Sequence, residues 1–121
     1  MEFFKEVEVS DLDIGELKKI LSIKNLPVLC KSINSVSLDE QQKGIIYCLW
    51  GEFEVNREEL KYGIRFSLPN CPNAFAWSIT MDIEHTNILI HCTTNKSTHD
   101  TCLIESIEEF ISDWSNGILS L

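Results

Sequence analysis

The chain has 121 residues, 44% of them hydrophobic, and a formal net charge of −9. That length suits one domain with one core, large enough to fold without disulfide or metal staples. The acidic balance disfavours nucleic acid and anionic membranes as partners, and no apolar run reaches the ~18–20 residues of a membrane span.

The first residues, Met1-Glu2-Phe3-Phe4-Lys5-Glu6, lack the basic start and long apolar stretch of a signal peptide, so a cytoplasmic location is expected. Five cysteines, Cys30, Cys48, Cys71, Cys92 and Cys102, are odd in number and irregular in spacing. They do not read as a disulfide framework.

In chain order, Phe3 to Val9 predicts a short strand, with Val7 and Val9 alternating against Glu6 and Glu8. Ser10, with Asp13 three residues on, predicts the N-cap of a helix running through Ile23, whose apolar face holds Leu17, Ile20 and Leu21. Residues 24–43 give no periodic signal. Pro27 breaks the pattern there, and Ser37-Leu38-Asp39-Glu40 reads as the start of a helical turn.

From Gly44 the period changes to two. Gly44–Val55 is predicted as one strand, with Tyr47, Leu49, Phe53 and Val55 on one face and Cys48, Trp50, Glu52 and Glu54 on the other. Asn56-Arg57-Glu58-Glu59 reads as a turn, and Leu60–Leu68 as a second strand. Pro69-Asn70-Cys71-Pro72-Asn73 is the strongest loop signal in the chain. Ala74–Glu84 is a third strand, with Phe75, Trp77, Ile79, Met81 and Ile83 alternating. His85-Thr86-Asn87 connects it to a fourth, Ile88–Thr94.

The chain ends in a helix starting within Ser97–Thr101, where Leu103, Ile107, Phe110, Ile111, Trp114 and Ile118 follow helical spacing. Gly117 reads as its C-terminal stop. Short connections between strands favour a meander. The expected fold is therefore α+β: a four-stranded antiparallel meander (five-stranded with the N-terminal strand), an N-terminal helix and a C-terminal amphipathic helix packed on it.

The sequence holds no zinc-type Cys/His spacing, no phosphate-binding glycine loop and no nucleophile elbow, so no metal, no cofactor and no catalytic residue is assigned. His91 and Cys92 are adjacent and should face opposite sides of a strand. Gly51 and Gly63, inside predicted strands, mark bulges or sheet curvature. The carboxylate pairs Glu52/Glu54 and Asp82/Glu84 lie among core residues at alternating positions, which puts them on a solvated face.

Charge is uneven along the chain. Residues 97–121 carry Asp100, Glu105, Glu108, Glu109 and Asp113 with no Lys or Arg, more than half of the net excess. Glu105–Glu109 and Glu109–Asp113 are like-charge pairs at i, i+4 on the terminal helix, each costing a few tenths of a kcal/mol. Asp113 also lies near the negative end of the helix dipole. A face that accepts those costs reads either as a solubilising surface or as a patch matched to a cationic partner. Trp50, placed beside Glu52 and Glu54, reads as a second patch: an aromatic anchor among acids.

Two stretches, WGEFEVNREELKYGIRFSLPNCPNAFAW from Trp50 to Trp77 and IESIEEFISDW from Ile104 to Trp114, resemble the immunity proteins of bacterial contact-dependent growth-inhibition systems. The resemblance implies a cytoplasmic, non-enzymatic protein, a monomer or weak dimer. It would bind a basic toxin domain, a nuclease for example, and block it without touching nucleic acid or membrane. The expected contact residues are Glu105, Glu108, Glu109 and Asp113 on the helix, and Trp50, Glu52 and Glu54 on the sheet. Two other classes stay open: an acidic secretion chaperone holding an effector segment, and a small enzyme using Cys71, His91 or His99.

Overall fold

The computed structural model of the protein describes residues 1–82, 84, 86–95 and 100–121. The chain runs β1 (Glu2–Glu8), α1 (Ile14–Ile20), α2 (Leu26–Leu29), β2 (Ile33–Asp39), β3 (Lys43–Cys48), β4 (Gly51–Leu60), β5 (Gly63–Ser67), β6 (Ala76–Met81), β7 (Asn87–Thr93) and α3 (Thr101–Leu119). All seven strands join one antiparallel sheet in the order β1-β7-β6-β5-β4-β3-β2. The α+β class and the helix-on-sheet packing are as expected, but the sheet is larger than four or five strands. Predicted strand Gly44–Val55 is a hairpin, and the segment 24–43, which gave no periodic signal, holds both α2 and β2.

The hairpin turn falls at Leu49-Trp50, where Cys48 pairs with Gly51. Gly51 has φ +117, a conformation that costs a side chain dearly, so glycine closes the turn rather than bending a strand. Neither Gly51 nor Gly63 is a bulge; among the described strands the register shifts lie in β2, between Ile33/Ser35 and Val36/Leu38. Ser37 and Leu38 therefore extend along an edge strand instead of opening a helical turn. Residues Asn56 to Glu59 are likewise interior to β4, paired with Ser67 to Ile64 of β5.

The first helix is shorter than predicted. Its N-cap is Asp13, not Ser10: the Asp13 carboxylate accepts from the Glu16 N–H at 2.8 Å. Its last turn is closed by Arg57 of β4, whose guanidinium donates to the carbonyls of Leu21 (2.7 Å) and Lys18 (2.8 Å). A cation at a helix C-terminus satisfies carbonyls that have no partner within the helix. That is why a polar residue sits inside the strand that was predicted as a turn.

All three helices lie on one face of the sheet. Beneath them Phe66, Phe75, Trp77, Phe110 and Trp114 form a buried aromatic layer, with Trp77 and Phe110 edge-to-face at 5.0 Å and Phe66 and Trp77 stacked at 5.2 Å. Such pairs add about 0.5–1.5 kcal/mol each beyond the area they bury. The alternation predicted for β6 holds at Phe75, Trp77, Ile79 and Met81, all buried; Ile83 and His85 lie outside the described residues. The other face carries no described element, and it displays Phe4, Tyr47, Glu52, Glu54, Glu58, Arg65 and His91 (positions opposite in register or alternation to the core).

Gly117 is not a stop. It lies inside α3, which continues to Leu119 and is capped at Ser120. A Cβ at this position would fall 1.7 Å from the Leu29 carbonyl oxygen of α2. Glycine is there because the backbones of α2 and α3 touch.

Candidate functional site

Two acidic surfaces were expected, and the fold sets them on opposite sides of the sheet. On α3, Asp100 caps the N-terminus by accepting from the Leu103 N–H at 3.2 Å. The buried stripe of Ile107, Phe110, Ile111, Trp114 and Ile118 faces the core. Glu105, Glu108 and Glu109 are turned to solvent, and none of them takes part in an ion pair among the described residues. They sit in the first half of the helix, well before its last turn at Leu119, so their field is that of their own charges.

Asp113 does not belong with them. It is half-buried, and its carboxylate accepts from the Ser32 hydroxyl at 2.5 Å, fastening α3 to the residue before β2. Because α3 runs on to Leu119, Asp113 lies more than a turn before the helix end and not at the negative end of the dipole as expected, and its carboxylate is occupied inside the molecule.

Trp50 is likewise not an exposed anchor. It packs 4.6 Å from Phe75 and 5.2 Å from Phe110, and its indole N–H donates to the Ser106 hydroxyl at 2.9 Å. That hydroxyl in turn donates to the Leu103 carbonyl at 2.7 Å. Trp50 thus sits under α3, on the core side, while Glu52 and Glu54 alternate with inward-facing Phe53 and Val55 and point away from it.

The physical reason is parity. In one continuous strand Tyr47 shares a face with Phe53. A two-residue reversal inverts that relation, so Tyr47 lies opposite Glu52, and Ile45 opposite Glu54. Tyr47 is 54% exposed and its hydroxyl makes no hydrogen bond among the described residues. The expected placement of Trp50 beside these two carboxylates is therefore wrong: the aromatic there is Tyr47, which was expected on the opposite face. The signal that would have found it is Gly51, read as the closing residue of a turn.

Around Tyr47 the surface is apolar as well as acidic. Ile45 is half-buried, and Leu38, its partner on β2, is 44% exposed. Beside them a cavity of about 330 Å³ is lined by Leu38, Glu40, Lys43, Ile45, Glu54 and Pro69, among others. The β4 backbone here is held in place from the far side: Asn70, in the predicted loop, accepts from the Glu54 N–H at 3.1 Å where β5 has already ended. The loop thus stands in for a strand.

The catalytic candidates are dispersed. His91 faces the uncovered side of the sheet, stacked on Phe4 at 4.4 Å and 3.1 Å from the Glu2 carboxylate. Cys92 faces the core, where burial pushes its thiol up to about 12; Cys30 is held at about 12 for the same reason. Buried neutral thiols are poor nucleophiles. Cys71 lines an apolar pocket of about 240 Å³ with Trp50, Phe53, Phe75 and Leu103, on the side of the sheet away from His91. His85 and His99 lie outside the described residues. Among the described residues no three His, Cys, Asp or Glu side chains converge as a metal site, and no helix is long and apolar enough to cross a membrane.

The chain matches no family model, no curated protein and no solved structure.

Proposed function

We propose that this protein binds a basic surface of another protein and masks it, in the manner of an immunity protein neutralising a cognate toxin domain. The observation that carries this is the set of exposed carboxylates that have no cationic partner among the described residues: Glu105, Glu108 and Glu109 on α3, and Glu52 and Glu54 on the sheet. A fold gains nothing from like charges at i, i+4, whereas a cationic partner turns the same charges into faster and more selective association. Such blocking requires no catalytic group, and a nuclease, whose cleft must be basic to hold nucleic acid, is a fitting target. The protein acts in the cytoplasm, where it meets an incoming toxin, as a monomer or weak dimer.

The test is rescue. The protein is expressed beside candidate toxin domains from its native host, and the partner that co-purifies is identified. Growth should be restored by the wild-type chain and lost when Glu105 and Glu109, together with Glu52 and Glu54, are reversed to Lys. Full rescue by that fourfold variant would sink the proposal.

A further inference from the structure

The two acidic surfaces differ in one respect that decides which of them can hold a partner. The ridge on α3 offers carboxylates only. The sheet surface offers carboxylates around an exposed ring and two aliphatic side chains, with a concavity beside them. Binding energy concentrates where an apolar anchor is desolvated among polar groups, while isolated exposed charges mostly tune encounter rates.

We propose, resting on the partner-binding function above, that the surface of Tyr47, Ile45 and Leu38 flanked by Glu52 and Glu54 is the docking point for an arginine side chain of the basic partner. Charge and shape both select this occupant. Glu52 is the direct cross-strand neighbour of Tyr47 and Glu54 the diagonal one, which places their Cβ atoms about 5 Å and about 7 Å from that of Tyr47. A guanidinium lying on the Tyr47 ring can therefore reach both carboxylates with its planar fork of N–H donors. Its aliphatic stem lies along Ile45 and Leu38, whose cavity of about 330 Å³ has room for it.

Lysine is a poorer fit, because its compact, strongly hydrated ammonium lacks the planar fork that lies flat on a ring while its edge donates to two carboxylates. Lys43 also lines that cavity and forms no ion pair with Glu52 or Glu54. Among the described residues, the two carboxylates that flank the ring thus have no cation of their own. The ridge on α3, across the sheet, steers the encounter and makes no lasting contact.

The experiment uses the whole protein, isotope-labelled, titrated at low salt with capped hexa-arginine and capped hexa-lysine peptides while backbone amide resonances are followed. Saturable shifts at Ile45, Tyr47, Glu52 and Glu54, stronger for arginine, are expected. Tyr47→Leu should weaken hexa-arginine binding at least tenfold, and Tyr47→Phe should restore it. Tyr47 is a half-exposed strand site, and the amide spectrum itself reports whether each variant is folded. Shifts centred on Glu105, Glu108 and Glu109, or a Tyr47→Leu variant that binds as the wild type does, overturn this docking point and leave the basic-partner function standing. Absence of saturable binding at either surface overturns both.

Discussion

Replacing Gly117 by Ala should destabilise the protein, although in an ordinary helix interior the same change is favourable by about 1 kcal/mol. The added Cβ would lie 1.7 Å from the Leu29 carbonyl oxygen and 2.7 Å from its carbon. A relaxed carbon–oxygen contact is about 3.3 Å, so α2 and α3 must separate by roughly 1.5 Å. A gap of even 0.5–1 Å forfeits about a quarter to a half of each dispersion contact across it. Leu26, Leu29, Trp114 and Ile118, all buried near this crossing, lose part of their packing together. Overpacking costs about 1–3 kcal/mol and sometimes more; a clash with backbone this deep belongs at the upper end, about 3 kcal/mol, so the net loss should be about 2 kcal/mol after the helix gain of about 1 is subtracted. Urea unfolding followed by far-ultraviolet circular dichroism measures it, with an unchanged m-value as the sign that stability alone moved. A Gly117→Ala protein that is more stable than the wild type would refute the close approach of the two helices.

Other consequences follow from single contacts. Arg57→Met removes both donors from the last turn of α1 and leaves two carbonyls to water; a loss of about 1–3 kcal/mol in the same urea assay is expected, and no change would mean that Arg57 does not close the helix. Trp50→Phe keeps the aromatic contacts but removes the bond to Ser106, so a loss of about 1 kcal/mol is expected. A variant with wild-type stability would put Trp50 outside the core. Cys30 and Cys92 have folded-state values raised to about 12 from an ordinary 9.0. Their protonated forms are favoured by folding, so their contribution is complete below pH 9 and is lost as pH rises from 9 towards 12, because the unfolded chain ionises first. Stability that climbs over that range would contradict their burial. In the native protein at neutral pH a water-soluble thiol reagent should modify exposed Cys102 and leave these two untouched until unfolding.

What the sequence disclosed depended on whether an element has two sides of different polarity. Helix α3 was legible because its buried residues recur at helical spacing against a polar, mostly acidic face, and β6 because Phe75, Trp77, Ile79 and Met81 alternate with the small residues Ala76, Ser78 and Thr80. β2 was not, because from Asn34 to Asp39 it is an edge strand with almost nothing buried, and two register shifts break what period remains. β4 looked like a turn at Asn56–Glu59 because its polar residues have tertiary partners there: Arg57 closes α1, Glu59 meets Lys18 at 3.1 Å, and Glu58 lies 3.8 Å from Arg65. No local pattern announces such partners.

The candidate site was legible in composition and not in placement. Glu105, Glu108 and Glu109 are exposed as expected, and Glu52 and Glu54 share the solvated face expected of alternating acids. Asp113 and Trp50 were assigned to the surface by position alone, and each turned out to be held by a hydroxyl, of Ser32 and Ser106 respectively. Tyr47 was hidden by the missed reversal at Leu49-Trp50. One turn of two residues exchanged the aromatic on each face.

The central claim is that exposed carboxylates recruit a basic protein. It is tested most directly by measuring association and dissociation rates of the co-purified partner at low and high salt, with the wild type, a Glu105→Lys/Glu109→Lys variant and a Glu52→Lys/Glu54→Lys variant. Association should slow steeply with salt and in both variants, and dissociation should quicken mainly in the second. Rates that respond neither to salt nor to either reversal would contradict the claim.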